Sequence, residues 1–134
     1  MNYYFTTTLR NLSFAEAISK VKEELKKEGF GVLTEIDIKS TMKSKLDVDF
    51  YNYTILGACN PPFAYKALQA EDKIGTMLPC NVIVQEKEKG VIEISAVDPA
   101  ASMSSVANED LNNIAGEVRD TLQRVISNLT PPIY

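Results

Sequence analysis

The 134-residue chain contains no histidine. That excludes Ser-His-Asp and Cys-His catalysis, together with every zinc site that needs an imidazole. It has two cysteines, Cys59 and Cys80, too few for a four-cysteine zinc site within one chain. They are not spaced as Cys-x-x-Cys, so a thioredoxin-type dithiol has no support, and a permanent disulfide is out of place in a reducing cytosol. No stretch approaches the roughly 20 consecutive apolar residues that span a bilayer. The first residues, Met1-Asn2-Tyr3-Tyr4-Phe5, have neither the basic region nor the apolar run of a secretion signal. The expectation is a cytoplasmic protein with no membrane partner. Positive charge is also scarce: 14 Lys and Arg against 18 Asp and Glu leave a net charge of −4. The densest basic run, Lys20, Lys22, Lys26 and Lys27, is interleaved with Glu23, Glu24 and Glu28. That is a solvated helix face with pairs such as Glu23–Lys27, not the clustered cationic footprint of a nucleic-acid binder. Repeats, low-complexity tracts and Gly/Ser linkers are absent as well.

What is present suits one domain over residues 1–134. The hydrophobic fraction is 45%, and a chain of this length buries roughly two-thirds of its unfolded surface. Tyr3–Leu9, rich in aromatic and β-branched residues, predicts a strand. Ser13 with Glu16 forms a capping box for a helix whose stripe is Phe14, Ile18, Val21 and Leu25, and Gly29 supplies its left-handed stop. Phe30–Ile36 predicts a second strand, with Asp37 capping a short helix through Ile38, Met42 and Leu46. Phe50–Cys59 predicts a third strand. Asn60 then stands as an N-cap, and Pro61 at the first helical position, where the missing N–H is no loss. That helix continues through Phe63, Ala64, Ala67 and Leu68. Cys80–Glu86 and Val91–Val97 predict a hairpin around Lys87-Glu88-Lys89-Gly90, and Asp98-Pro99 ends it. Asn108 caps a final helix with the stripe Leu111, Ile114, Val118, Leu122, Val125 and Leu129, closed by Thr130-Pro131-Pro132.

Two long amphipathic helices against about five strands predict an α+β fold: a two-layer sandwich with the long helices on one face of the sheet. The hairpin makes that sheet mixed or mostly antiparallel, not doubly wound and parallel.

Gly29-Phe30-Gly31-Val32-Leu33, Leu56-Gly57-Ala58-Cys59-Asn60-Pro61 and Leu78-Pro79-Cys80, followed by Asp98-Pro99 and Met103, resemble the family known as Domain of Unknown Function 302. The resemblance covers a core of about residues 2–129 and leaves a tail of 130–134. It implies a small two-layer α/β domain, often dimeric, and a candidate site, but no established activity. Many relatives carry His where this chain has Tyr65, so an imidazole at that position is missing here. A homodimer is expected on this ground and on the aromatic-rich N-terminal strand, which suits a sheet edge.

One constellation combines residues with chemistry to offer. Cys59 ends a strand directly before a helix N-terminus, where free N–H groups and the helix dipole stabilise a thiolate. Cys80 opens the next strand after Pro79. The helix from Pro61 to Ala70 is about 15 Å long at 1.5 Å per residue, and residues 71–79 can retrace that distance at roughly 3.3 Å per residue. Cys59, Asn60 and Cys80 are therefore expected to share one sheet edge and one pocket. They are either a thiol site, with Met77 or Met103 as a further soft ligand, or two buried small hydrophobes beside a helix cap.

Other features rank lower. Ser102, Ser104 and Ser105 fall in a loop with no base nearby, and Asp37 and Asp98 are a cap and a turn residue. Glu35, Asp37, Asp47 and Asp49 read as solvated turn acids. Gly29-Phe30-Gly31 lacks the third glycine and the helix of a dinucleotide loop. Tyr3, Tyr4, Tyr51, Tyr53 and Tyr65 serve sheet packing. No catalytic residue, metal or cofactor is assigned. The favoured function is a small-ligand-binding or interaction module with its pocket at Cys59, Asn60 and Cys80. The alternative is a thiol-dependent redox, sulfur-transfer or soft-metal-handling protein using the two cysteines. The absence of an identifiable general base favours the first.

Overall fold

The computed structural model describes residues 2–130; Pro131 and Pro132, and the tail they belong to, lie outside the described residues. Five strands form one sheet: β1 (Tyr4–Arg10), β2 (Gly31–Asp37), β3 (Asn52–Cys59), β4 (Cys80–Glu88) and β5 (Val91–Val97). Their spatial order is β1-β5-β4-β3-β2, and every neighbouring pair is antiparallel. β1 and β2, consecutive in the chain, thus form opposite edges, and the helix between them crosses the sheet.

That helix, α1 (Phe14–Lys27), starts as its sequence dictates. The Ser13 hydroxyl accepts from the Glu16 N–H and the Glu16 carboxylate accepts from the Ser13 N–H, both at 3.1 Å. Gly29 then adopts φ +87°, where a side chain is strained. Val21 and Leu25 of α1 are fully buried with Leu122 and Val125 of the last helix, α5 (Glu109–Leu129), and Val118 is buried beside them. The two helices pack on each other and on the same face of the sheet. The strands answer with period-2 alternation: Leu56 and Ala58, Val82 and Val84, and Ile92, Ile94 and Ala96 all point into this core. At about 25 cal/mol per Å² of buried apolar surface, this layer is the main stabilising term. Among the described residues no long helix covers the other face. It carries Tyr4, Tyr53, Ile55, Ile83 and Val97, and its buried polar members are satisfied: Gln85 Nε2 donates to the Tyr51 hydroxyl, and Ser95 Oγ bonds Thr6 Oγ1.

Three shorter elements complete the chain: α2 (Ile38–Leu46), capped by Asp37 Oδ1 accepting from the Ser40 N–H, α3 (Pro61–Ala70), and α4 (Pro99–Ser102). A 3-10 turn, Asp72–Met77, follows α3. Among the described residues no helix is long and apolar enough to cross a membrane.

Three local expectations are corrected. The segment after Asp98-Pro99 is not all loop: Asp98 Oδ1 accepts from the N–H groups of Ala100 and Ala101, so Ser102 ends a helical turn. The hairpin is tighter than a four-residue loop. A register shift between Gln85 and Glu88 lets β4 run on to Glu88, leaving Lys89-Gly90 as the turn, with Gly90 at φ +82°. Glu86 supports that turn by accepting from the Gly90 N–H and from Asn52 Nδ2, which holds its carboxyl below the usual range. Asn60, expected to cap α3 with its side chain, makes no such bond.

Candidate functional site

β3 ends at Cys59 and β4 begins at Cys80, and the antiparallel register sets Cys80 directly opposite Ala58. α3 and the 3-10 turn do return the chain to its starting point, so the two cysteines sit at adjacent positions of neighbouring strands. Both are free thiols; Cys80 is buried and Cys59 half-buried. The Leu78–Pro79 peptide that leads into β4 is cis.

Next to these strand ends lies a cavity of about 330 Å³, within the usual range for small-molecule sites. Its lining draws on two hydrophobic clusters. One is the sheet–helix core; the other joins Ala67, Ile74, Met103, Leu111 and Ala115 of α3, the 3-10 turn and the region around α5. The space exists because the facing helices present small side chains: Ala64 and Ala67 on α3, Ala115 on α5. Cys59, Asn60 and Cys80 all line it, so the structure brings the three predicted residues together. Of the two methionines considered, buried Met103 lines the cavity; Met77, on the outer side of the 3-10 turn, does not.

Asn60 occupies the N-cap position of α3, but its side chain makes no cap hydrogen bond. Its Nδ2 instead donates to the backbone carbonyl of Glu28 at 3.2 Å, tying the start of α3 to the end of α1. Pro61 and Pro62 at the first two helical positions leave the Phe63 N–H as the one free donor a cap side chain could bond, and the amide is turned to the Glu28 carbonyl instead.

Burial pushes the Cys80 thiol up to about 11, with a smaller contribution from neighbouring Cys59. Cys80 is therefore a neutral thiol at physiological pH, opposite to the activated state a nucleophilic cysteine needs.

The remaining candidates do not converge on the cavity. Tyr65 is exposed on α3 and is not part of the lining. Ser102 and Ser104 donate to the Pro99 and Ala101 carbonyls around α4. Glu35 pairs with Lys22, Asp37 caps α2, and Asp47 and Asp49 flank Lys43. Among the described residues, no group of three or more Cys, Asp or Glu side chains is arranged to hold a metal ion.

The cavity also recruits residues the sequence did not single out. β2 shifts register between Val32 and Thr34, which pair with Ala58 and Gly57, so Leu33 is an extra residue in a β-bulge. Leu33 is 68% exposed and still lines the cavity, as does half-exposed Leu68, so the mouth is edged with apolar side chains. Phe30, Leu78 and Val118 add wall. The alanines on facing helices were the available signal for the cavity; nothing local marks a bulge.

Residues 5–129 match the family model described as "Domain of unknown function DUF302". A solved structure, the crystal structure of an uncharacterized conserved DUF302 protein from Bacillus stearothermophilus, is similar at 27% sequence identity with a TM-score of 0.86. The similarity covers 96% of this chain and 98% of that one. No curated protein matches. On the match over nearly its whole length, the chain belongs to the DUF302 family.

Proposed function

We propose that this protein is a binding module that holds a small apolar ligand in the cavity beside Cys59, Asn60 and Cys80. The observation that carries the reading is the cavity: a space of about 330 Å³ walled by aliphatic and aromatic side chains, with one amide and two thiols at one end. Its apolar walls stand against water at an open mouth, and an apolar ligand seated there would take that surface out of water. The thiol-dependent alternative is weakened by the raised pKa of Cys80 and by the lack of any base lining the cavity. The module acts as a homodimer. Support comes from β1 lying at a sheet edge and from the sheet face turned away from α1 and α5, where Tyr3 and Tyr4 are exposed beside Tyr53, Ile83 and Val97.

The test is direct. Methyl-labelled Met103 reports on the cavity, and titration with naphthalene is expected to shift its resonance saturably. Ala64→Phe, which fills the space from α3, is expected to abolish that shift while leaving the circular dichroism spectrum unchanged. An unmoved Met103 methyl in the wild-type protein would exclude the cavity as a binding site.

A further inference from the structure

Resting on that reading, we infer that the cavity selects uncharged ligands carrying a hydrogen-bond donor, a hydroxyl or N–H group, and rejects anions. Three observations converge. First, the wall contains no Lys, Arg, Asp or Glu, so a charged group inside would have no counter-ion. An unpaired ion in an apolar site loses its hydration without compensation.

Second, the helix N-terminus beside the cavity is disarmed as an anion site. Such sites work through free backbone N–H groups in the first turn. In α3, Pro61 and Pro62 have none, and the Ala64 N–H already donates to the Asn60 carbonyl at 2.9 Å. Only Phe63 retains a donor. A carboxylate or phosphate at this helix end would meet one N–H where an anion site offers several.

Third, the amide at the cavity is oriented. Asn60 Nδ2 is the atom that faces the Glu28 carbonyl, because only the nitrogen can donate to it. The side chain is thereby fixed with its carbonyl Oδ1 as the remaining acceptor. Among the described residues Oδ1 accepts no hydrogen bond, and no buried side-chain oxygen or nitrogen lacks a partner, so Oδ1 is open to approach. The Asn60 side chain, held from behind by the end of α1, offers a ligand an acceptor. Its complement is a neutral molecule with an apolar body and one donor, of the class of phenols, indoles and medium-chain alcohols.

Three probes of one shape separate the possibilities at pH 7: 2-naphthol (neutral donor), 2-methoxynaphthalene (neutral, no donor) and 2-naphthoate (anion). Isothermal titration is expected to rank naphthol first. It should exceed methoxynaphthalene by about two- to tenfold, the range of one net hydrogen bond, and naphthoate should be at least about tenfold weaker than naphthol. In Asn60→Ala the naphthol-to-methoxynaphthalene ratio should fall to near one. Because that ratio is internal to each variant, a general loosening of the fold that weakens both probes does not imitate it. Naphthoate binding as tightly as naphthol, or a ratio unchanged by Asn60→Ala, would overturn the inference and leave the apolar cavity standing. Failure of all three probes would remove the cavity reading and this inference with it.

Discussion

The amide of Asn60 is bonded to the backbone carbonyl of Glu28, 32 residues earlier in the chain, and not to the helix that Asn60 begins. The bond joins the end of α1 to the start of α3 and so fixes one end of the cavity. Asn60→Ala is expected to lower stability by about 1 kcal/mol, the net value of one such bond. Asn60→Asp should cost more, since a carboxylate cannot donate to a carbonyl and the two oxygens repel. Urea denaturation monitored by circular dichroism checks both. Equal midpoints for the Asp variant and wild type would show that the Glu28 bond carries no stability.

Gly57 is a glycine for reasons of space. A Cβ built there lies 2.8 Å from the Pro79 ring and meets the Thr34 hydroxyl more closely still. The hydroxyl can rotate; the ring cannot. Gly57→Ala is expected to destabilise by about 1–3 kcal/mol, the usual result of overpacking. Gly31→Ala, whose new Cβ meets nothing within 4 Å, should stay within about 0.5 kcal/mol of wild type. The thermal midpoints of the pair decide whether the clash or the loss of glycine matters.

The raised pKa of Cys80 sets an alkaline limit. An unfolded thiol ionises near its ordinary value of 9.0, whereas the folded one waits until about 11. Across that window the unfolded state binds fewer protons than the native state, so stability falls as pH rises. Its contribution is complete below pH 9 and lost by about 11, on the order of 1–3 kcal/mol in all. Tyr53, raised first by burial and then by Tyr51 and Tyr3, adds to the decline at higher pH. Cys80→Ala should therefore flatten the stability profile between pH 9 and 11 without abolishing the slope due to tyrosine. A variant that tracks wild type through that window would show the thiol to be hydrated. Native Cys80 should also react slowly with a chromogenic disulfide reagent at pH 7, and faster once urea opens the fold.

The sheet face turned away from α1 and α5 is expected to be the homodimer interface. Ile83 sits near its middle, half-buried between Gln85 and Asn81 on β4. Ile83→Asp should convert the dimer to monomer in sedimentation at high micromolar concentration, with the secondary structure retained. Wild-type protein that sediments only as a monomer would remove the proposal.

Much of this fold is legible in the sequence because its signals are local. The Ser13/Glu16 capping box, Gly29 with positive φ, the Asp37 cap and the Asn108 side chain accepting from Leu111 N–H all act within a few residues. The stripes of α1 and α5 are periodic and mark the side each helix buries; that both bury it on the same face of the sheet rests on their packing against each other. Asn60 was legible as a position and not as a contact, because its partner lies on another element. The hairpin turn is shorter than its sequence suggests because a bulge changes register without a characteristic residue.

By itself the sequence determined the elements, the antiparallel character of the hairpin and the shortage of acid–base chemistry, since these follow from period, caps and composition. Tertiary structure alone decided that Cys80 faces Ala58, that Leu33 bulges to the cavity mouth and that small residues of α3 and α5 leave a space between them. It also decided that burial keeps the Cys80 thiol protonated. Those outcomes depend on which distant segments meet and how much water they exclude. Desolvation and packing are properties of the assembled layers, and no local run of residues encodes them.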